Sequence, residues 1–231
     1  MLKKKLAKFR RKAFESLGSD RYSRPSLYEM DKKLEKYLTH PNGFFIEAGA
    51  NDGFSQSNTY YLEKFRGWTG ILVEGIPELY QQCVVERPKS QVFNYALVAA
   101  DSTEPYITMK YANLMSIVEG ALKSEAADQV HLAKGNEIQK NVVPYEVDVP
   151  TRTLTAILDQ CQVTAIDLLS LDVEGFELNV LKGLDFTKYQ PKYMLIEARF
   201  KSEIEEYISD LYIQVDRFSG HDYLYQLKNI N

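Results

Sequence analysis

The chain has 231 residues, 45% hydrophobic and 12% aromatic, with 12 Gly, 8 Pro and 2 Cys, and its 28 Lys and Arg face 32 Asp and Glu for a net charge of −4. That apolar share excludes a disordered chain, and the few Gly and Cys exclude a collagen-like or disulfide-stapled one, which leaves a globular domain with room for an extension. The longest uninterrupted apolar stretch, Tyr95 to Ala100, falls far short of the roughly 20 residues of a membrane-spanning helix.

The charge is unevenly placed. Residues 1–12 hold seven cations (Lys3, Lys4, Lys5, Lys8, Arg10, Arg11, Lys12) and no acid, so the 21 basic and 32 acidic residues that follow give the body a net charge of −11. An acidic body speaks against nucleic acid as a partner, because such binding spreads Lys and Arg over a face to displace counterions from phosphates. Among the cations, Leu2, Leu6, Phe9, Ala13 and Leu17 recur at helical spacing, the pattern of a basic amphipathic helix. Such a helix docks its apolar stripe on the body or on another subunit, or else lies on an anionic membrane surface; residues 1–17 are the candidate contact. No apolar run of a signal peptide follows the charges, so the expected location is cytoplasmic. Cys83 and Cys161 lack any ligand-like spacing and are expected to be small buried apolar residues.

A second helix is expected from Leu27, Met30, Leu34 and Leu38, with Ser26 and Glu29 as a capping box, and residues 1–40 form an N-terminal helical segment ahead of a domain at 41–231. From Phe44 onward, short apolar runs alternate with helical periodicity: a strand at Phe44 to Ala48, a helix at Asn58 to Phe65, a strand at Ile71 to Val73, a helix at Pro77 to Glu86 and a strand at Val92 to Leu97. The pattern resumes with a helix at Leu154 to Gln160, a strand at Ile166 to Leu171, a helix at Glu177 to Lys182 and a strand at Tyr193 to Ile196. Strands this short and apolar belong to a parallel sheet covered on both faces, so the fold class is α/β, doubly wound. A helix at Ser202 to Ser209 and strands at Tyr212 to Phe218 and Tyr223 to Leu227 close the chain as an antiparallel hairpin. Residues 101–150 fit no βα unit: a strand at Tyr106 to Tyr111, a weakly helical stretch to Asn141 and a strand at Val142 to Val149 read as an insertion over the sheet's edge.

Ligands of open parallel sheets bind at the carboxyl ends of the strands. Here those ends carry Glu47, Glu74, Asn94, Asp172 and Glu197, four acids among five positions, which implies an electropositive or hydroxyl-rich ligand. The loop Glu47-Ala-Gly-Ala-Asn-Asp-Gly53 offers Gly49 and Gly53 for close backbone approach, and Glu74 stands 21 residues beyond Gly53, where an acid reaches ribose hydroxyls. The ligand is therefore expected to contain adenosine. A dinucleotide would set its pyrophosphate against Glu47 and Asp52, whereas S-adenosylmethionine brings a sulfonium and an ammonium, so charge favours the latter over NAD.

The segments Phe45-Ile-Glu-Ala-Gly-Ala-Asn-Asp-Gly53, Ser57-Asn-Thr-Tyr-Tyr-Leu-Glu63, Gly67-Trp-Thr-Gly-Ile-Leu-Val-Glu74 and Ile166-Asp-Leu-Leu-Ser-Leu-Asp-Val-Glu-Gly-Phe-Glu177 with Leu181-Lys-Gly183 resemble the FkbM family of S-adenosylmethionine-dependent methyltransferases. The resemblance spans roughly residues 43–200. It implies a Rossmann-like class I methyltransferase: a mostly parallel seven-stranded sheet with an antiparallel C-terminal strand and helices on both faces. It also implies O-methylation of a sugar, glycolipid or natural product, so that the partner is a small-molecule or glycan acceptor. By the same likeness Glu47, Gly49, Asn51 and Gly53 line the methionine moiety, Ser57 and Asn58 support that loop, Glu74 holds the ribose, and Asn94 to Leu97, Ala96 among them, flank the adenine. Ile76 and Asp172 complete the cofactor set.

Methyl transfer from a sulfonium is an in-line displacement, so the protein aligns donor and acceptor and removes one hydroxyl proton. Asp172, at the strand end where the methyl group should sit, is the leading candidate to orient or deprotonate the acceptor, with Glu174 and Glu197 beside it. A divalent cation held by these three carboxylates is an alternative, and helix capping is the competing role of Glu177. His40 and His221 are expected outside the site, while His131 would reach it if the insertion closes. Tyr60, Tyr61 and Tyr111 could wall a sugar site or, as most tyrosines do, serve the core. Two rival readings stand: a non-catalytic interaction module of the same fold, and an enzyme using NAD or a nucleotide sugar.

Overall fold

A computed structural model describes residues 2–112, 116–118, 120–124, 126, 128–131, 133 and 145–229. The chain opens with α1 (Leu2–Ser16), a 3₁₀ turn at Leu27–Glu29 and α2 (Met30–Leu34). It continues through β1 (Phe44–Ala48), α3 (Tyr60–Phe65), β2 (Thr69–Val73), α4 (Pro77–Glu86), β3 (Gln91–Phe93), β4 (Ala96–Leu97), β5 (Tyr106–Tyr111) and β6 (Ile117–Val118). After these come β7 (Tyr145–Arg152), α5 (Leu154–Gln160), β8 (Leu168–Leu171), α6 (Glu177–Lys182), β9 (Tyr193–Glu197), α7 (Lys201–Ile208), β10 (Tyr212–Arg217) and β11 (Asp222–Leu227).

Seven strands form the main sheet in the order β10-β11-β9-β8-β1-β2-β3. The five from β9 to β3 are parallel, and β11 runs antiparallel to both β9 and β10. Alternate residues of the central strands enter different cores, which explains their continuous apolarity. Ile46, Ile71, Leu169, Met194 and Ile196 pack with Leu154 and Ile157 of α5, Val180 and Leu181 of α6 and Ile204 of α7. Phe45, Leu72, Leu168 and Leu195 face Met30 and Leu34 of α2, Leu62 of α3, Trp68 and Cys83. Both faces are thus covered by helices, and the sheet is mostly parallel and seven-stranded with a reversed C-terminal strand, as expected. Cys83 is buried, but Cys161 is only half-buried, against expectation, because it follows the last turn of α5 rather than facing the core.

Two local expectations fail. Ser26 makes no capping hydrogen bond; its hydroxyl donates to the Asn58 side chain instead, and Tyr28 and Glu29 take left-handed φ values of 49° and 56°, which break the expected helix into the 3₁₀ turn and α2. Val92 to Leu97 is not one strand. It splits at Asn94, whose amide turns back to the carbonyls of Glu74 (2.9 Å) and Gly75 (2.7 Å), and β4 then joins a second sheet of order β4-β7-β5-β6. In that sheet β5 pairs antiparallel with β7 from Tyr106↔Pro150 to Tyr111↔Tyr145. The expected helix end at Asn141 and strand start at Val142 lie outside the described residues.

The N-terminal helix also departs from one expectation. It meets the body through Arg11 and Glu15, both buried, while Leu6, Phe9 and Leu17 of the stripe are 67%, 73% and 82% exposed. Arg11 reaches Glu86 at 2.5 Å and lies 3.4 Å over the Phe54 ring, and Glu15 accepts from Tyr60 (2.8 Å) and Ser23 (2.7 Å). Polar complementarity therefore sets the rotation of α1, and its stripe is not docked on the body.

Candidate active site

The loop after β1 rests on β2, with the backbone N–H groups of Gly49 and Ala50 donating to the Val73 carbonyl at 3.0 and 3.1 Å. Its acids serve the loop itself. Glu47 accepts from Ser57 Oγ (2.8 Å), Asn58 N (2.8 Å) and Thr59 Oγ1 (2.6 Å) and pairs with Arg87 at 3.2 Å. Asp52 accepts from the backbone N–H of Phe54 (2.9 Å) and Ser55 (2.6 Å). A buried carboxylate is tolerated only when so surrounded, so neither acid is the free charge that the cofactor argument assigned to it, although Glu47 still borders the cleft.

The glycines also act differently than expected. A Cβ on Gly49 (φ +82°) would stand 1.8 Å from the Asp172 carbonyl oxygen, and one on Gly53 (φ +78°) would meet Arg87 Cγ at 2.9 Å and Cys83 Sγ at 3.0 Å. Gly49 lets the loop cross the end of β8, and Gly53 makes room for Arg87. Gly53 does not line the cleft.

Arg87, wholly buried, is the residue that sequence reasoning missed. Besides Glu47 it binds Glu63 (2.9 Å), Thr59 Oγ1 (2.8 Å) and the Gly53 carbonyl (3.3 Å), joining β1, the loop and α3. A lone Arg after an apparent helix carries no motif. Its only sequence signal is that Glu47 lies in an apolar strand, Phe44 to Ala48, that holds no cation of its own.

The cleft is a depression of about 950 Å³ that includes open solvent. Of the expected cofactor residues, Glu47, Gly49, Asn51, Ser57, Asn58, Glu74, Ala96 and Asp172 line it. Ile76 and Asn94 do not, because both are taken up in holding Glu74 and its turn: Ile76 N–H donates to Glu74 at 2.8 Å, and Asn94 ties the carbonyls of Glu74 and Gly75. Glu74 also accepts from Asn51 N–H at 2.7 Å. Burial, only partly offset by these N–H donors, raises its pKa to about 7.

The other end of the cleft is carboxylate-rich. Asp172 opens to it, yet the surrounding protein and the charges of Glu197, Glu174, Glu177 and Asp222 push its pKa well above the usual range. Glu174, in a left-handed turn at φ 56°, borders the cleft and is raised to about 8 by burial and Glu197, against the pull of Arg199. Glu197 stands off the cleft wall, 3.3 Å from Arg199 Nε. Glu177 is buried and braces the turn by accepting from Val173 N–H (3.2 Å) and Gly175 N–H (2.8 Å). Asp172, Glu174 and Glu197 each bring an oxygen within 4.8 Å of the others. Arg199, paired to both Glu174 and Glu197, already supplies positive charge there.

The insertion borders the cleft at both ends: Met109, Ser116 and Val118 line it together with Tyr95 and Phe176. Met109 packs where Gly75 has no side chain, and Leu122 does the same at Gly175. His131, expected to reach the site if the insertion closes, is buried with Nε2 3.4 Å from Glu174. His40 stands 3.3 Å from Asp167 and His221 sits in the exposed β10–β11 turn, both away from the cleft. None of the three tyrosines weighed for a sugar wall lines it: Tyr60 is buried against Glu15, Tyr61 stacks on Phe65 at 5.5 Å, and Tyr111 meets Tyr145 at 4.8 Å.

This geometry fits S-adenosylmethionine. Glu74 is a cleft-facing carboxylate held by backbone N–H groups with oxygen lone pairs left for hydroxyls, and Asp172 is an ionisable group facing the same space. Among solved structures, a TehB-like SAM-dependent methyltransferase from Corynebacterium glutamicum aligns with a TM-score of 0.45 at 11% identity over 97% of both chains. SAM-dependent methyltransferases from Geobacter sulfurreducens and Thiobacillus denitrificans, each in complex with S-adenosyl-L-homocysteine, align with TM-scores of 0.37 at 9% and 10% identity. They cover 88% and 89% of this chain and 71% and 72% of theirs. No curated protein matches the chain.

The Rossmann-like fold and the cleft are those expected of an S-adenosylmethionine-dependent methyltransferase. The family model described as the methyltransferase FkbM domain matches residues 47–227, and the chain belongs to that family.

Proposed function

We propose that the methyl group is transferred to a hydroxyl oxygen of a sugar, a glycolipid or a natural product. The observation that carries this reading is Asp172, an exposed carboxylate that faces the cleft with Glu174 and Glu197 oxygens within 4.8 Å, where the surrounding protein and these neighbours raise its proton affinity. An ordinary carboxylate is a poor acceptor for a hydroxyl proton, and a raised pKa brings it closer to the task. S-adenosylmethionine, when bound, supplies an electrophilic methyl group on a sulfonium centre. Asp172 orients the acceptor hydroxyl and takes its proton, and Glu174, linked to Arg199 and His131, shares the negative charge around it.

At the cofactor end, Glu74 binds the ribose hydroxyls, the Gly49–Asn51 backbone with Ser57 and Asn58 frames the methionine part, and Tyr95 to Leu97 flank the adenine. Gly53, Ile76, Asn94 and Arg87 act through these residues rather than by contact. In this reading residues 41–231 make up the methyltransferase domain, the 101–150 insertion shapes the acceptor side, and residues 1–40 form the N-terminal helical segment, which touches the cleft residue Asn58 through Ser26.

The test is incubation with methyl-labelled S-adenosylmethionine and a panel of hydroxyl- and amine-bearing acceptors, read by mass spectrometry. Label in an O-methyl ether supports the proposal. Label found only on nitrogen would overturn it.

A further inference from the structure

The outer face of α1 is built in layers. Leu6, Phe9 and Ala13 form an exposed apolar stripe opposite Arg11 and Glu15, the two residues that fix the helix to the body, and Leu17, in the turn just past the helix, is exposed as well. At 100° per residue, Lys5 and Lys12 flank the stripe on one side and Lys3 and Arg10 on the other, all four exposed. The rotation is not free. Arg11 is locked between Glu86 and the Phe54 ring, Glu15 binds Tyr60, Ser23 and Lys64, and Lys8 reaches Glu86 at 2.6 Å. Turning the stripe inward would break a buried ion-pair network, so the fold holds these side chains toward the outside.

We propose that this face rests on an anionic lipid surface, with Leu6, Phe9 and Leu17 entering the headgroup–acyl boundary and the flanking cations paired to lipid phosphates. The charge arrangement selects this occupant. Two rows of cations beside an apolar stripe match an interfacial helix on acidic lipid, whereas a second copy would set the same cations against each other across an isologous contact. The acidic body is kept off the same surface by its own charge, so attraction is confined to α1.

The test is co-sedimentation of the full chain with vesicles of phosphatidylcholine, with and without phosphatidylglycerol, beside sedimentation velocity of the protein alone. The chain should pellet with the anionic vesicles at low salt and stay in solution with the neutral ones. Phe9→Asp combined with Leu6→Asp should abolish pelleting with an unchanged melting temperature, since both side chains are exposed. Lys5→Gln with Lys12→Gln should weaken it roughly thirtyfold. Failure to pellet with anionic vesicles overturns the proposal. So does a wild-type dimer that Phe9→Asp and Leu6→Asp dissolve, which would assign the stripe to a second copy.

Discussion

The guanidinium of Arg87, wholly buried at the end of α4, stands 3.2 Å from the Glu47 carboxylate at the end of β1. One side chain thereby closes the first half of the sheet behind the cofactor loop, with Glu63 at 2.9 Å as its second anion. Removing one partner of such a pair leaves the others as uncompensated buried charges. Arg87→Met is expected to destabilise the fold by about 3–5 kcal/mol, read by denaturant unfolding, and to weaken S-adenosylhomocysteine binding as the loop loosens. Arg87→Lys keeps the charge but loses the fork that reaches both carboxylates, and should recover only part of the loss.

Gly49 is required by the neighbouring strand rather than by the ligand. Gly49→Ala would add a Cβ 1.8 Å from the Asp172 carbonyl oxygen at φ +82°. The left-handed backbone alone costs roughly 1–2 kcal/mol, and the clash adds to it. The melting temperature should fall and cofactor binding should be lost. Gly18→Ala, at φ +77° with nothing within 4 Å, is the control that carries the backbone term alone.

Asp172→Asn separates binding from turnover. It removes one of several crowded carboxylates without changing side-chain volume, so the fold should be as stable as the wild type or more so. Affinity for S-adenosylhomocysteine should stay within severalfold. Turnover should fall about a hundred- to ten-thousandfold, the usual contribution of a positioned base. Unchanged kcat would remove Asp172 from the chemistry.

Stability should depend on pH in a direction fixed by the raised carboxylates. Burial lifts Glu74 and Glu177 to about 7 and Glu174 to about 8, from an ordinary 4.5. Between those limits the folded protein keeps protons that the unfolded chain has released, so stability drops as pH rises through 7 and 8. On the acid side, Asp167 is held low by Lys192 despite its burial, and its contribution fades as it protonates. The melting temperature without ligand should peak near about pH 5 and decline toward about pH 8. Glu177→Gln should flatten the decline, at the price of some stability at neutral pH if its brace to Val173 and Gly175 weakens.

Patterns set by local chemistry were legible. Pro77 at the start of α4 and the two-sided apolarity of Phe45 and Ile46 mark their elements in the chain. The acids at the strand ends located the cleft because a parallel sheet brings those positions together. What was illegible depends on partners distant in sequence. Ser26 caps nothing because Asn58 takes its hydroxyl, Asn94 breaks a strand to hold the Glu74 turn, and Arg87 meets Glu47 across 40 residues. The charge of the cofactor loop misled for the same reason: Glu47 and Asp52 are free acids in the sequence and engaged ones in the fold.

The central claim is that the Glu74 end of the cleft holds the adenosine part of the cofactor and the Asp172 end faces the acceptor. Isothermal titration of S-adenosylhomocysteine into the wild type and Glu74→Gln tests it most directly. The expected result is one ligand per chain, with affinity lowered roughly tenfold to a hundredfold in the variant as hydrogen bonds to a charged acceptor are lost. No heat of binding to the wild type at millimolar ligand, or equal affinity in Glu74→Gln, would contradict it.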